Sequence, residues 1–221
     1  MIEKRRRPRS ADRRVQVLNE TLNLIMEQGI VGTTMTRIAE KVGITEPALY
    51  RHFRNRKEIM TAALDAAFKQ WTDKILFQEV DAAAYLRHLA TIIHGDLMNN
   101  PNAPRLVFEF ICAPPAEELR EPLIQYLLLS LRWIEYQLQE GIRQGVFRED
   151  IDLEVTAWEG FSLAFTLTFV NLMGLQEMLP EEKALQAVED VISRISTGNR
   201  LAPRIRRKPQ HDPRFRRMPG R

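Results

Sequence analysis

Apolar side chains recur every three or four residues along most of the chain, a period that indicates amphipathic α-helices. No segment alternates apolar and polar residues in the manner of a strand, and the sequence contains no internal repeat. The pattern therefore predicts an all-α protein, with helices over about 11–28, 35–42, 46–53, 56–77, 81–98, 103–112, 117–144, 153–175 and 181–196.

The second and third predicted helices are short and are separated by a tight turn. Thr34 precedes the first of them and can cap its free N–H groups, while Gly43 can take the left-handed conformation that ends it. Thr45 is the predicted cap of the next helix. Pro47 is tolerated there because the first turn of a helix has no intrahelical N–H bond to lose. This layout predicts a helix-turn-helix at about residues 34–53.

One side of the helix predicted over 46–53 faces the core through Leu49 and Phe53, which lie four residues apart. The opposite side is narrow enough to enter a DNA major groove, which is about 12 Å wide. A helix-turn-helix also serves only for packing in many helical domains. The Tyr-Arg-His-Phe sequence at 50–53 and the arginines near the N-terminus favour DNA binding instead. The exposed side carries Pro47 and Arg51, with Ala48 and Tyr50 on its flanks.

The net charge of +3 hides an uneven distribution over the 221 residues. Residues 1–14 carry seven basic and two acidic side chains, and residues 199–221 carry nine and one, whereas residues 58–198 carry ten and twenty-two. Cationic ends suit phosphate contacts, and an acidic body suits another role. We interpret residues 199–221 as a disordered basic tail and residues 1–10 as a flexible arm that contacts phosphates or the minor groove through Arg5, Arg6 and Arg7.

The segment around the predicted helix-turn-helix resembles the tetracycline-repressor (TetR) family of bacterial regulators. The family signature matches Thr33-Thr34, Ile38-Ala39, Gly43, Leu49-Tyr50, Phe53 and Lys57-Glu58. The resemblance is strong over residues 11–65. It implies a three-helix DNA-binding domain over 11–57, joined by the fourth helix to a helical ligand-binding and dimerisation domain over 58–198.

We call the predicted helix-turn-helix the reader, and its exposed side chains are expected to have two different roles. Arg37 suits bases or phosphates equally, and Arg51 either reads guanine through O6 and N7 or contacts a phosphate. Two readers, one per subunit, would occupy successive major grooves about 34 Å apart. We expect the bases or the groove to be faced by Thr45, Glu46, Pro47, Ala48 and Arg51. The resemblance implies that phosphates are contacted by Thr34, Tyr50, His52 and Lys57.

The resemblance also implies an effector cavity among the middle helices. The same side chains would suit an ordinary core, because cavities and cores share one composition. Adaptable methionine and aromatic side chains favour an apolar ligand. The candidates for lining the cavity are Met98, Phe108, Phe110, Cys112, Tyr126, Trp133 and Phe161.

Residues 160–176 contain no charged side chain. The run includes the polar residues Ser162, Thr166, Thr168 and Asn171 and is shorter than the roughly 20 apolar residues of a membrane span, so we expect a helix buried on both sides. In the TetR family the last two helices pack against their copies in a second subunit. The resemblance therefore implies a homodimer through the helices at about 153–175 and 181–196, and no membrane partner.

These features predict a transcription regulator, namely a repressor released from its operator by a small apolar ligand. The alternative is a ligand-independent chromosome-organising protein of the same fold. No enzyme activity, metal or cofactor is expected, because Cys112 is the only cysteine and neither a His-Glu-x-x-His nor a Cys-x-x-Cys pattern occurs. The single cysteine and the lack of a secretion signal predict a bacterial cytoplasmic protein associated with the nucleoid.

Overall fold

The computed structural model of the chain describes residues 10–75, 81–100 and 103–198. Within these ranges the structure is helical throughout and has no strand, although Phe147 and Ser196 form an isolated antiparallel bridge. The predicted all-α class is therefore confirmed. The helices are α1 (Ser10–Gly32), α2 (Met35–Val42), α3 (Glu46–Tyr50), α4 (Arg56–Ile75), α5 (Ala82–Asn99), α6 (Ala103–Ile111), α7 (Arg120–Arg143), α8 (Leu153–Leu172) and α9 (Glu181–Ile195).

Most helix boundaries lie within three residues of the predicted ones, and α3 shows a difference that matters for the site. It ends at Tyr50 instead of residue 53. The N–H groups of His52 and Phe53 both donate to the carbonyl oxygen of Leu49, at 2.9 and 3.2 Å. This shared acceptor closes the chain into a turn, so Phe53 reaches the core from the turn and not from the helix.

The described residues pack as two compact units. The first contains the chain up to Gln70 together with Arg105–Leu123, and the second contains Trp71–Pro104 and the residues from Ile124 onward. This division differs from the predicted boundary between residues 57 and 58. The first unit extends into α4 because Ile59, one turn into that helix, belongs to the same core as α2 and α3.

The first unit is built on a three-helix core with α4 packed against it. The buried side chains come from α1, α2, α3, the following turn and α4, and are Val17, Leu24, Met35, Ile38, Ala39, Val42, Leu49, Phe53 and Ile59. Val15 would face inward by the helical period that Leu22 and Ile25 follow, but it is 58% exposed, whereas Val17 is fully buried. Val17 takes the inward position because α1 presents a rotated face to the other helices.

Gly29 interrupts α1, with φ 78° and ψ 171°, and the helix continues to Gly32 instead of ending at about residue 28 as predicted. The carboxylate of Glu109 in α6 lies where a side chain would stand, since a Cβ on residue 29 would meet Glu109 Oε2 at 2.7 Å. The same oxygen accepts a hydrogen bond from the N–H of Ile30 at 2.8 Å. Glycine is required here both for the left-handed backbone and for the close approach of the carboxylate. This contact ties α6 into the first unit.

The second unit packs α5, α8 and α9 around the C-terminal half of α7. Gly141 in α7 admits the ring of Phe147, because a Cβ at residue 141 would meet that ring at 2.1 Å. Phe147 is 1% exposed and sits in a core with Leu138, Ala157 and Ile192. Among the described helices, none is both long and apolar enough to cross a membrane.

Candidate nucleic-acid interface

The turn between α2 and α3 has the geometry that its sequence predicts. Thr34 lies before α2 and its hydroxyl accepts a hydrogen bond from the N–H of Arg37 at 3.3 Å. Gly43 has φ 71° and ψ 39°, and the N–H of Ile44 donates to the carbonyl oxygen of Ala39 at 3.0 Å. The left-handed glycine therefore ends α2 and turns the chain toward α3 within three residues.

Thr45 does not cap α3 through its side chain, contrary to the prediction. An N-cap side chain accepts from the second or third helical N–H group. Pro47 occupies the second position and has no N–H, and the N–H of Ala48 donates to the backbone oxygen of Thr45 at 2.9 Å. The hydroxyl of Thr45 is consequently not used for capping and lies on an exposed residue.

The structure exposes most of the side chains that were predicted to contact DNA. Tyr50 is 49% exposed although it directly follows the fully buried Leu49. Glu46, Ala48 and His52 are half-buried. The exposed members of the set are Thr34, Arg37, Thr45, Pro47, Tyr50, Arg51 and Lys57. Arg5, Arg6 and Arg7 lie outside the described residues, as does the basic tail.

Arg14 in α1 holds the turn that follows α3, a role that the sequence analysis missed. Its Nη1 donates to the carbonyl oxygen of His52 at 2.7 Å, and its guanidinium lies over the ring of Phe53 with 4.2 Å to the centroid. It also lies 3.7 Å from the carboxylate of Glu58. The sequence shows only an arginine in the first predicted helix, close to a basic N-terminus, and this pattern does not specify a hydrogen-bond partner.

Two side chains of α2, Arg37 and Thr36, connect this helix to its neighbours at the exposed surface. Arg37 donates to the carbonyl oxygen of Gly32 at 3.1 Å and to the side chain of Gln28, so its guanidinium lies against the end of α1. Thr36 Oγ1 donates to Oε2 of Glu46 at 2.9 Å and thereby links α2 to the first residue of α3. Thr36 was not among the predicted site residues.

The start of α4 carries two adjacent cations, and each is paired with an acid from the turn that follows α6. Arg56 donates to the carbonyl oxygen of Thr33 at 2.8 Å and forms an ion pair with Glu117. Lys57 forms an ion pair with Glu118. The hydrogen bond from Lys57, together with its charge, lowers the pKa of Glu118. Glu118 has φ 51°, the left-handed region that a residue with a side chain rarely adopts.

Asn55 and Glu58 satisfy free N–H groups at the start of α4 in the manner of a shifted capping box. Asn55 Oδ1 accepts from the N–H of Glu58 at 2.8 Å, as expected for an N-cap. The carboxylate of Glu58 reaches back to the N–H of Arg54 at 2.7 Å, one residue before the cap. Both free N–H groups are satisfied, so the first turn of α4 and Lys57 on it are fixed relative to α3.

The seven candidates for an effector cavity are divided between the two units. Phe108, Phe110 and Cys112 belong to the first unit, where Phe110 is fully buried and Cys112 is exposed. In the second unit Met98 is 51% exposed, and Tyr126 is buried. The indole N–H of Trp133 donates to the hydroxyl of Tyr85 at 2.6 Å, while Phe161 packs against Trp158. The candidates therefore remain predictions as individual residues.

The second unit contains a cleft lined by other residues. It has a volume of about 70 Å³ and lies between α5, α7, α8 and α9. Thr156 is its polar side chain, and the hydroxyl of Thr156 donates to the backbone oxygen of Asp152 at 2.7 Å. The lining otherwise consists of Gly160 and aliphatic side chains, namely Leu86, Leu89, Ala90, Ile93, Ile134, Leu138, Leu163, Ala164, Leu167, Val188, Val191 and Ile192.

Helix α8 is apolar on two opposite sides. The side that lines the cleft carries residues 156, 160, 163, 164 and 167, whereas the opposite side carries exposed apolar residues at 155, 158, 169 and 172. The two pairs form an interrupted stripe on one helix face, because the eleven residues from 158 to 169 make about three helical turns. We call this stripe the α8 seam; its exposed members are Val155, Trp158, Phe169 and Leu172.

Comparison with known proteins agrees with the geometry of the reader. The family model described as "Bacterial regulatory proteins, tetR family" matches residues 17–63, which span the helix-turn-helix and the start of α4. The chain belongs to the TetR family. Regulators of this family bind operator DNA, act as dimers and respond to small-molecule effectors.

Relatives of this TetR-family chain also match it outside the helix-turn-helix, and these longer matches support the assignment. An HTH-type transcriptional repressor, KstR2 of Rhodococcus jostii, is 29% identical over 159 residues, which cover 66% of this chain and 76% of the relative. The nucleoid occlusion factor SlmA of a Marinomonas species is 26% identical over 144 residues, covering 63% and 71%. A TetR transcription regulator from Haloarcula marismortui shares the fold, with a TM-score of 0.74 at 20% identity over 85% of this chain and all of the other.

Proposed function

We propose that this TetR-family regulator binds operator DNA as a homodimer through the exposed surface of α2, α3 and the start of α4. The observation that carries the proposal is the exposure of hydroxyl and cationic side chains on a rigid helix-turn-helix. Thr34, Tyr50 and Lys57 supply donors for phosphate oxygens, which fix the register without reading sequence. Pro47 and Arg51 are exposed on the side of the recognition helix that faces away from Leu49.

Binding of a randomised duplex library by single variants tests this surface. Tyr50→Ala removes a phosphate donor and should weaken binding to all sequences by roughly 3- to 10-fold, the value of one hydrogen bond. Arg51→Ala and Pro47→Ala should change the enriched sequence. Arg132→Ala, which removes an exposed arginine of the second unit, is the matched control. Unchanged binding and unchanged sequence preference in all three reader variants would refute the assigned surface.

The same proposal includes a homodimer formed through the α8 seam. The seam exposes large apolar side chains in a row, whereas the exposed positions described for α9 are polar or charged, for example Gln186, Asp190 and Arg194. Removal of such a stripe from water is favourable, at about 25 cal/mol for each Å² buried. A regulator with two readers then spans two successive major grooves about 34 Å apart.

The regulator is proposed to be a repressor whose operator affinity falls when an apolar molecule enters the cleft of the second unit. The cleft offers aliphatic contacts, and its single hydroxyl is already engaged, so it favours an uncharged alkyl group over an aromatic or ionic one. Because α4 contributes residues to both units, its displacement would alter the spacing of the readers. A coupling of about 1–3 kcal/mol gives a 5- to 150-fold response.

A fluorescent alkyl-chain probe can test the cleft against the aromatic candidates. Gly160→Leu places a side chain in the cleft, where a Cβ already lies 3.8 Å from Ile134, and should abolish probe binding. Trp133→Phe leaves the cleft lining intact and should preserve it. If probe binding is lost only in Trp133→Phe, the effector site lies at Trp133 and not in the cleft.

The similarity to a nucleoid occlusion factor keeps a second candidate function, in which the same fold organises the chromosome without a ligand. The basic segment at 199–221 would add affinity that does not depend on sequence. Genome-wide mapping of binding sites distinguishes the two functions. A few sharp sites support the regulator, and many dispersed sites support the organiser.

A further inference from the structure

Thr36 and Glu46 join the two helices of the reader at its exposed surface. The hydroxyl of Thr36, near the start of α2, donates to Oε2 of Glu46 at 2.9 Å. Glu46 is the first residue of α3, and Pro47 directly follows it. Proline fixes its own backbone and restricts the residue before it, so the main chain at Glu46 is rigid. The hydrogen bond then fixes the side chain as well.

The carboxylate of Glu46 lies on the proposed DNA-binding surface, where a negative charge requires a physical explanation. DNA is a polyanion, and an acidic side chain near it is repelled unless it finds a donor. In the major groove the donors are the N4 amino group of cytosine and the N6 amino group of adenine, and carboxylates pair with cytosine N4. A carboxylate has about four acceptor sites. The single hydrogen bond from Thr36 therefore leaves capacity for a base.

We propose that Glu46 selects cytosine at one position of each operator half-site and that Thr36 is the positioning residue that makes the selection sharp. This inference rests on the proposed DNA-binding surface and specifies part of its sequence preference. Without the hydroxyl of Thr36, the Glu46 side chain samples several rotamers, and only some of them direct an oxygen at the base. The hydrogen bond from Thr36 holds the Glu46 side chain in one rotamer before DNA binds, so binding does not have to order it. It also excludes rotamers that face the phosphates.

Selection from a randomised duplex library, followed by competition with single-base operator variants, tests the pair. The wild-type protein should discriminate for cytosine at one half-site position by roughly 5- to 150-fold, the range for a good base contact. Glu46→Gln should move the preference at that position to adenine, because a glutamine amide pairs with adenine N6 and N7.

Thr36→Val keeps the shape of threonine but removes the donor, and Thr36→Ser keeps the donor. The valine variant should reduce discrimination at the same position to less than a third of the wild-type ratio and leave other positions unchanged. The serine variant should retain it. A purely structural role for Thr36 predicts instead an equal loss of affinity for every sequence, and this result would overturn the proposal.

Two further outcomes are decisive. If Thr36→Val keeps the wild-type preference, or if Glu46→Gln changes no base, then the assignment of this pair is wrong while the DNA-binding surface stands. If the wild-type protein enriches no sequence, the proposed function itself fails. Melting temperatures of the three variants show whether each is folded, and Thr36 is exposed, so none of them removes a core contact.

Discussion

At the scale of single residues, the first unit depends on cations that bind backbone carbonyl oxygens. Arg14 holds His52, and Arg56 holds Ile30 and Thr33. Each guanidinium donates to carbonyl groups at a helix end or a turn, where the regular helical hydrogen bonds stop. These arginines therefore determine where the reader's exposed side chains lie, although they need not contact DNA themselves.

In the second unit, Tyr85 gives stability a dependence on pH. Its hydroxyl donates to the carbonyl oxygen of Ile75 at 3.1 Å and accepts from Trp133. Burial raises the pKa of Tyr85 to about 12, partly offset by the hydrogen bond from Trp133. An ordinary tyrosine has a pKa of about 10. The folded state therefore favours the neutral phenol, and the contribution is complete below pH 10 and is lost as the pH rises toward 12.

We expect the free energy of unfolding to fall by about 1 kcal/mol per pH unit above pH 10 because of this group. Urea unfolding of the wild-type protein and of Tyr85→Phe, compared at pH 9 to 11, isolates the effect, since all other titrations are common to both. The difference in stability between the two proteins should shrink as the pH rises. A difference that stays constant across this range would contradict the raised pKa.

At the scale of elements, an acid in the turn after α6 forms an ion pair with a lysine at the start of α4. Glu118 holds the ammonium of Lys57, which is also the group proposed to contact a phosphate. Both side chains are exposed, so the pair is weak and is screened by salt. The carboxylate and a DNA phosphate compete for the same cation, and operator binding has to displace Glu118.

Glu118→Gln should therefore tighten DNA binding a few-fold at low salt and steepen its salt dependence by about one unit, as for one additional phosphate contact. Titration of duplex DNA at several salt concentrations measures both quantities. Glu149→Gln, at an exposed acid of the second unit, removes the same charge as a control. An equal gain in both variants would mean that only net charge matters, and a persistent gain in the Lys57→Ala background would exclude the competition.

The sequence was sufficient for most elements because their signals are local. Gly43 ends α2, and Gly29 interrupts α1, at positions where the backbone needs a positive φ. The prediction that Thr45 caps α3 failed for an equally local reason, since Pro47 supplies no N–H to bind. Contacts between distant residues left no such signal. Thr36–Glu46 and Lys57–Glu118 become visible only once the helices are packed.

The cleft was the least predictable feature. Large side chains such as Phe110 and Trp133 fill space, whereas the cleft lies where aliphatic residues and Gly160 leave it open. Which apolar residues leave a void depends on the fit between four helices. Composition does not encode that fit, because core and cavity residues are the same types.

At the scale of the whole molecule, subunit pairing is expected to depend on the α8 seam. Trp158→Glu and Phe169→Glu each place a charge in the exposed stripe, where burial of an unpaired charge costs several kcal/mol. Light scattering at micromolar concentration should show a monomer for each variant and a dimer for the wild type. Operator affinity should fall with the loss of the second reader.

Gln139→Glu introduces the same charge at an exposed position of α7 and provides the control. A wild-type protein that is already monomeric would refute the dimer. Dimers that persist in both seam variants would show that pairing uses another surface, with the exposed side of α9 as the next to test.

Because α8 has a cleft on one side and the seam on the other, little of its circumference is left for water. Its threonines already direct their hydroxyls at backbone carbonyls of the same helix, as Thr166 and Thr168 do with Ser162 and Ala164. Residues 153–172 should therefore tolerate less natural variation than any other segment of this length. Sequence drift among orthologues would have to proceed there through exchanges of one small or aliphatic residue for another.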